Sequence, residues 1–419
     1  MSAANTTDSS INIALRHIKT AAVFLPVFFY LMFMDAGSFQ AYFFMNTVII
    51  SLTHVFTLGF ILMVIMGASY MLLPVALGVK IAYEKLFFPV YYAFTGSLVI
   101  FVTGMHFFSP VFIALGGSLL FISIGTYNIN ILFSLKKVKK WDYTSLAILF
   151  AYIYLAIGIL IGLYMSLLFY FNIGGQYIFY FLIDHIYIMF IGFVLMLFTG
   201  IFYRLLPMFY MTKTPPRYLW LTDFILLNAG VAAVILSSFF ARGVLFDAGS
   251  AFLCTGILIF SGIFFYLMAA RIKKKLDITT FYLYAGFFYL ILSVLAGILI
   301  LGLFSRTITQ NYGIYYSFGF VGLFGFIGMA IIGFLHKIFP FLISLKQFEK
   351  MKKGAYAGLF RNMREKYLQF VDLILFVTGV LAGAYSLLEL DIILIKITAA
   401  VLFFASLLLF FNLLSMERK

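Results

Sequence analysis

The stretch HVFTLGFILMVIMGASYMLLP, His54 to Pro74, recurs without a gap as YIMFIGFVLMLFTGIFYRLLP, Tyr187 to Pro207, and as FVGLFGFIGMAIIGFLHKIFP, Phe320 to Pro340. Successive prolines are 133 residues apart. Counted back from each proline, Gly59, Gly192 and Gly325 coincide, as do Gly67, Gly200 and Gly333, then Phe60, Phe193 and Phe326, and finally Met63, Met196 and Met329. Agreement at five positions in three copies marks an internal repeat. Each copy is also apolar over the roughly 20 residues that a membrane-spanning helix needs.

Working outward from these copies, the rest of the chain is equally apolar. Of its 419 residues, 65% are hydrophobic, 20% aromatic and 10% charged, with a mean hydropathy of +1.13. A soluble domain has roughly 45–50% apolar and 25% charged residues. The composition therefore excludes a water-soluble enzyme, a nucleic-acid-binding module and a secreted disulfide scaffold. Apolar runs predict spans near 21–43, 45–74, 87–107, 110–135, 144–171, 178–210, 218–240, 245–270, 279–304, 312–345, 368–388 and 391–415. The expected fold is an all-α polytopic membrane protein: twelve transmembrane helices in three parallel four-helix pseudo-repeats, residues 1-142, 143-276 and 277-419. Four spans is an even number, so successive units enter the membrane in the same sense. That suits a pseudo-threefold axis along the membrane normal and disfavours inverted-repeat transporter folds.

Charge orients the bundle. The net charge is +14. With a cytoplasmic N-terminus, 25 of the 28 Lys and Arg fall in the tails, the even-numbered connections or the cytoplasmic helix ends. The exceptions are Arg242 and Arg306, which face outside, and Lys396 within the last span. KKVKK at Lys136–Lys140, RIKKK at Arg271–Lys275 and the basic stretch Lys346–Lys366 make this a positive-inside pattern. Both termini are expected in the cytoplasm and the chain in the cell membrane, plasma or inner. The basic clusters read as anchors against anionic lipid headgroups, the bilayer being the first partner. Cys254 is alone, so no intrachain disulfide or cysteine metal cluster is available. The polar start MSAANTTDSS lacks a cleavage signature, so the first span reads as an anchor and not as a signal peptide.

The repeated residues have structural uses. Glycines eight apart lie about two turns apart, where small residues let helices approach closely. The prolines bend or end each helix near its cytoplasmic end. The methionines read as packing residues before metal ligands.

Ionisable groups inside a membrane are the places to look for function. Of the five histidines, His17 is expected to be solvated in the N-terminal tail, and His336 to meet headgroups or a hydrogen-bond partner beside Lys337. The other three share the outer half. His54 lies about ten residues into the second span, His185 at a similar depth in the sixth, and His106 where the third reaches the outer face. Imidazole nitrogen is a strong ligand for haem iron, and two inward histidines on different helices suffice to clamp a haem. The plainer alternative is that each hydrogen-bonds a neighbouring carbonyl or hydroxyl. Asp184 points about 100° away from His185 on the same helix and is expected to face the outer surface or another helix. Lys396 is expected to pair with Asp391 or to snorkel outward.

Three four-helix units, a histidine early in the second helix with glycine five residues later, YRLLPMF at Tyr203–Phe209 and KIFPFL at Lys337–Leu342 resemble the haem-copper oxidase subunit I superfamily. The resemblance is to its shorter relatives, the cytochrome-oxidase-subunit-I-like and NnrS-like membrane proteins, and its specific residues lie in the three repeat helices. It implies that His54 binds a low-spin haem b. It also implies a tenth-helix histidine partner, but Phe318 and Phe320 stand there. The sixth-helix histidine–proline–glutamate–valine–tyrosine stretch and the seventh-helix histidine pair are missing too. Copper is therefore not expected, nor terminal oxidase or nitric oxide reductase activity. His185 becomes the second axial ligand, with His106 as the alternative and as a candidate metal ligand.

The resulting expectation is a haem- or metal-binding protein of respiratory electron transfer, or of the response to nitric oxide or oxygen. Its partners would be respiratory-complex subunits or an electron-carrier protein, with no nucleic acid. Two other readings stand beside it. One is a permease or channel for a small solute or ion using Lys396, Asp184 and Arg306; the other is a structural subunit that has lost its cofactors. No phosphate loop or catalytic triad favours enzyme chemistry.

Overall fold

The computed structural model describes residues 8–40, 46–173, 177–240, 242–304, 312–350 and 363–417. Arg306 and much of the basic stretch Lys346–Lys366 lie outside them. Among the described residues, twelve helices are long and apolar enough to cross a membrane: α1 Asp8–Met34, α2 Thr47–Leu77, α3 Glu84–His106, α4 Pro110–Leu135, α5 Tyr143–Phe171 and α6 Ile178–Tyr210, followed by α7 Arg217–Ser237, α8 Gly243–Ala269, α9 Ile278–Ile300, α10 Gly313–Gln347, α11 Tyr367–Glu389 and α12 Ile392–Met416. There are no strands among the described residues. The protein is a multi-pass, all-α membrane protein.

The helices sort by burial into two layers. In α2, α6 and α10 the most apolar stretch is 72, 67 and 78% buried, against 50% or less in the other nine. The three repeat helices therefore form the interior, and the nine others surround them. Consecutive helices pack side by side, and α12 packs on α1 to close the ring, with Tyr30 against Phe403 and the Lys396 ammonium over Phe33. Ring contacts join the inner helices: Phe56 of α2 meets Phe324 of α10, and Phe202 of α6 meets Phe334 of α10. Large apolar side chains such as Ile122, Ile129 and Phe404 point outward into the space that lipid fills.

Lipid tails are as apolar as leucine, so helix association here rests on close packing and not on the hydrophobic effect. The repeated glycines provide it. A Cβ at Gly67 would lie 2.6 Å from the His17 Cβ, at Gly200 2.8 Å from the Ala147 Cβ, and at Gly333 2.6 Å from the Tyr282 Cβ. In each unit this glycine presses the second helix against the first. The other set, Gly59, Gly192 and Gly325, receives Phe24, Tyr154 and Tyr289 in the same way. Met63, Met196 and Met329 are fully buried and act as packing.

The repeat extends to the backbone. Each inner helix carries an eight-residue π-helical segment at the same register: Val55–Leu62, Ile188–Leu195 and Val321–Gly328. Each repeated proline lies inside its helix without ending it there. In α2 and α6 the helix ends three residues on, and the next residues, Gly78 and Met211, turn left-handed and donate their N–H to the carbonyls of Pro74 and Pro207. We call this end of the bundle the proline end and the opposite one the histidine end. At the helix starts, Asn46 caps α2, Asp142 and Ser145 form a capping box on α5, and Asp391 accepts from the Ile393 and Leu394 amides at the start of α12.

One boundary differs from the hydropathy reading. The first span runs Asp8–Met34 instead of 21–43, because DSSINIALRHIK is helical and buries one face. His17 is consequently not in a solvated tail. It is fully buried, its Nδ1–H donates to the Ile13 carbonyl at 2.9 Å, and Tyr70 and Tyr91 stand edge-on to its ring.

Candidate functional site

At the histidine end, α2 and α6 bring His54 and His185 together. Their ring centres are 6.5 Å apart and the ring planes 28° from parallel. The two residues are not at equivalent repeat positions: the counterparts of His54 are Tyr187 and Phe320. His54 is the last residue before its π segment, and His185 lies three residues before its own. Such segments, which change the direction of successive side chains, often accompany functional sites.

Each imidazole is fixed by a backbone carbonyl. His54 Nδ1 lies 2.8 Å from the Ile50 carbonyl, one turn back on its own helix, and His185 Nδ1 lies 3.0 Å from the Gly158 carbonyl on α5. A carbonyl only accepts, so Nδ1 carries the proton in both rings and Nε2 keeps its lone pair. No hydrogen bond engages either Nε2 among the described residues. Phe101 of α3 stands edge-on to the His54 ring at 5.1 Å. Gly162 of α5 makes room for His185, since a Cβ there would come 3.2 Å from its Cε1.

This donor set suits a narrow range of groups. Metal–nitrogen bonds of about 2 Å on both sides of one ion place two imidazole centres about 6 Å apart. An imidazole held through Nδ1–H by a carbonyl is the usual support of a metal-bound histidine. Among the described residues no three His, Cys, Asp or Glu side chains gather as a metal cluster. A bare zinc ion, which takes three or four protein ligands, is poorly served here. A haem brings four nitrogens of its own and asks the protein for one or two axial ligands.

His106 takes a different partner. Its Nδ1 lies 3.9 Å from Asp35 Oδ2 in the connection between α1 and α2. Burial pushes the Asp35 carboxyl up from its ordinary value, and the nearby His106 works against that. Asp184 faces another helix, accepting a hydrogen bond from Ser238 at the end of α7 at 2.8 Å while being 3% exposed. Asp391 serves as a helix cap, not as a partner of Lys396. The polar groups on which a permease reading relies thus have local structural duties, and Arg306 lies outside the described residues.

The sequence reading missed a second polar feature. At the proline end each unit places a polar group on its first, second and third helices: His17, Tyr70 and Tyr91; then Tyr143, Tyr203 and Asp223; then Tyr282, His336 and Asp372. The residues on the second helices, Tyr70, Tyr203 and His336, are repeat counterparts. Tyr143 donates to Asp223 Oδ2 at 3.2 Å. In the third unit, no hydrogen bond among the described residues reaches the Tyr282 hydroxyl, either nitrogen of His336 or either oxygen of Asp372. His336 is thus buried against Tyr282 and does not meet headgroups. Single carboxyls inside the apolar runs LWLTDFILL and LQFVDLILF were the available signal.

No family model matches the chain, and no curated protein matches it.

Proposed function

We propose that the protein is a membrane cytochrome that holds one b-type haem between His54 and His185 and passes electrons within a respiratory chain. The observation that carries this reading is the neighbouring pair of imidazoles, 6.5 Å between centres, each pinned through Nδ1 to a carbonyl. The haem would supply a one-electron redox couple. The chain's own contribution is to fix the tautomer and ring orientation of both ligands before binding, so little ordering remains when the group enters. Phe101 covers one side of the His54 ring. With His54 and His185 both holding the group, the chain would leave a substrate no place on it, which favours electron transfer over reduction of oxygen or nitric oxide.

The sequence resemblance to the oxidase subunit I superfamily points to the same reading, in which His185 of α6 would stand in for the absent histidine of α10. On the positive-inside reading of the basic runs, the proline end would face the cytoplasm and the pair would lie in the outer half of a cell membrane. The electron partner would then be a carrier protein or a respiratory subunit on that side. The test is the optical spectrum of the purified protein, oxidised and then reduced, with carbon monoxide added to the reduced form. A six-coordinate haem gives a sharp reduced α band that carbon monoxide leaves nearly unchanged. A carbon monoxide complex forming at once would mean an open axial position and overturn the two-histidine arrangement.

A further inference from the structure

Between the inner helices lies a cavity of about 70 Å³ on the proline side of their π segments. Apart from Ile18, its lining comes from α2, α6 and α10, largely from the same repeat positions, so it lies on their common axis. Its origin is legible side chain by side chain. At one level the three units supply Ala68, Ile201 and Phe334, and at the next Ser69, Phe202 and Leu335. The first unit has the smallest residue at both levels. Close-packed interiors leave few voids, and the volume its side chains lack is the space that remains.

The cavity has nothing to offer water. Ser69 is the single polar residue in the lining, and its hydroxyl is already bonded to the Tyr152 hydroxyl at 2.8 Å, which in turn meets that of Tyr127 at 2.7 Å. A buried water needs two to four polar partners, whereas an apolar cavity stays dry and takes apolar solutes. An apolar cavity of about 150 Å³ holds benzene or xenon. Half that volume has room for a diatomic molecule or one xenon atom and excludes a ring.

We propose that this axial cavity is a binding site for a small apolar gas molecule, of the class of dioxygen or nitric oxide. It is distinct from the histidine pair: Val64 on its wall lies ten residues along α2 from His54, roughly 15 Å at the helical rise. The proposal therefore stands or falls without the haem.

The test is xenon pressurisation of crystals of the full chain, read by anomalous scattering. A peak is expected on the axis between Ala68, Ile201 and Phe334. Ala68→Phe gives the first unit the side chain that the third already has, and should abolish the peak. Ile201→Ala enlarges the space and should raise xenon occupancy, so the proposal stays testable if the filled variant does not fold. A wild-type axis without xenon, an ordered water in its place, a peak that survives Ala68→Phe, or unchanged occupancy in Ile201→Ala would each overturn it.

Discussion

Replacing the repeated glycine nearest the proline by alanine tests whether the units are held by backbone approach. At Gly67 the new Cβ meets the Cβ of His17 at 2.6 Å and the Ala14 carbonyl oxygen at 3.1 Å. At Gly200 it meets Ala147 Cβ at 2.8 Å, and at Gly333 Tyr282 Cβ at 2.6 Å. None of these atoms is the far end of a flexible side chain, so relief requires one helix to move off the other. Overpacking of this kind costs about 1–3 kcal/mol. Alanine's better helix propensity returns about 1 kcal/mol, leaving a net loss of about 0–2 kcal/mol per site. Gly96 in α3 and Gly262 in α8 are the controls, because a Cβ at either meets nothing within 4 Å. The assay is denaturant or thermal unfolding of each variant in one detergent, followed by helical circular dichroism. Gly67→Ala, Gly200→Ala and Gly333→Ala should unfold earlier, with Gly96→Ala and Gly262→Ala at or above wild type. Equal behaviour of the two sets would refute the packing argument.

Two further outcomes follow from the polar contacts. Burial alone raises the Asp277 carboxyl, but the Lys337 charge, hydrogen bonds from Lys337 and Thr280, and Lys273 outweigh it and hold the carboxyl below its usual value. A lowered folded value stabilises above the unfolded value, and that gain is lost as pH falls through the folded one. Asp277→Asn should therefore cost up to about 1 kcal/mol at pH 7, discounted for partial exposure, and the two proteins should converge well below about pH 4. An unchanged difference in acid, measured by melting at both pH values, would contradict the ion pair. Ser238→Ala leaves buried Asp184 without its donor and should cost about 1–3 kcal/mol while leaving the visible spectrum untouched. A spectral change would mean that Asp184 acts on the histidine site.

Much of the fold was legible because membrane helices announce themselves by composition and the repeat by its prolines and glycines. The start of α1 was not. Ser10 and His17 are polar by residue type, yet they lie on the face that packs on α2, where Ser10 meets Met71 and His17 meets Gly67. Hydropathy averages over faces and cannot register that. The π segments have no compositional mark either; their register emerges from the backbone alone. At the site, His54 and His185 were legible as ionisable groups at one depth. Their contact depends on two helices meeting off the repeat register, which spacing does not encode. His336 was legible as an ionisable group and Asp372 as a lone carboxyl in an apolar run, but their grouping with Tyr282 was not, because only the packing of α9, α10 and α11 makes them neighbours.

The central claim is that His54 and His185 together hold one haem. A pyridine haemochrome assay on purified wild type, His54→Ala and His185→Ala, all grown with haem precursor, tests it most directly. The account predicts close to one haem b per wild-type chain and a severe loss in each variant while the helical signal persists. A wild-type protein without haem, or full haem content in either variant, would contradict it.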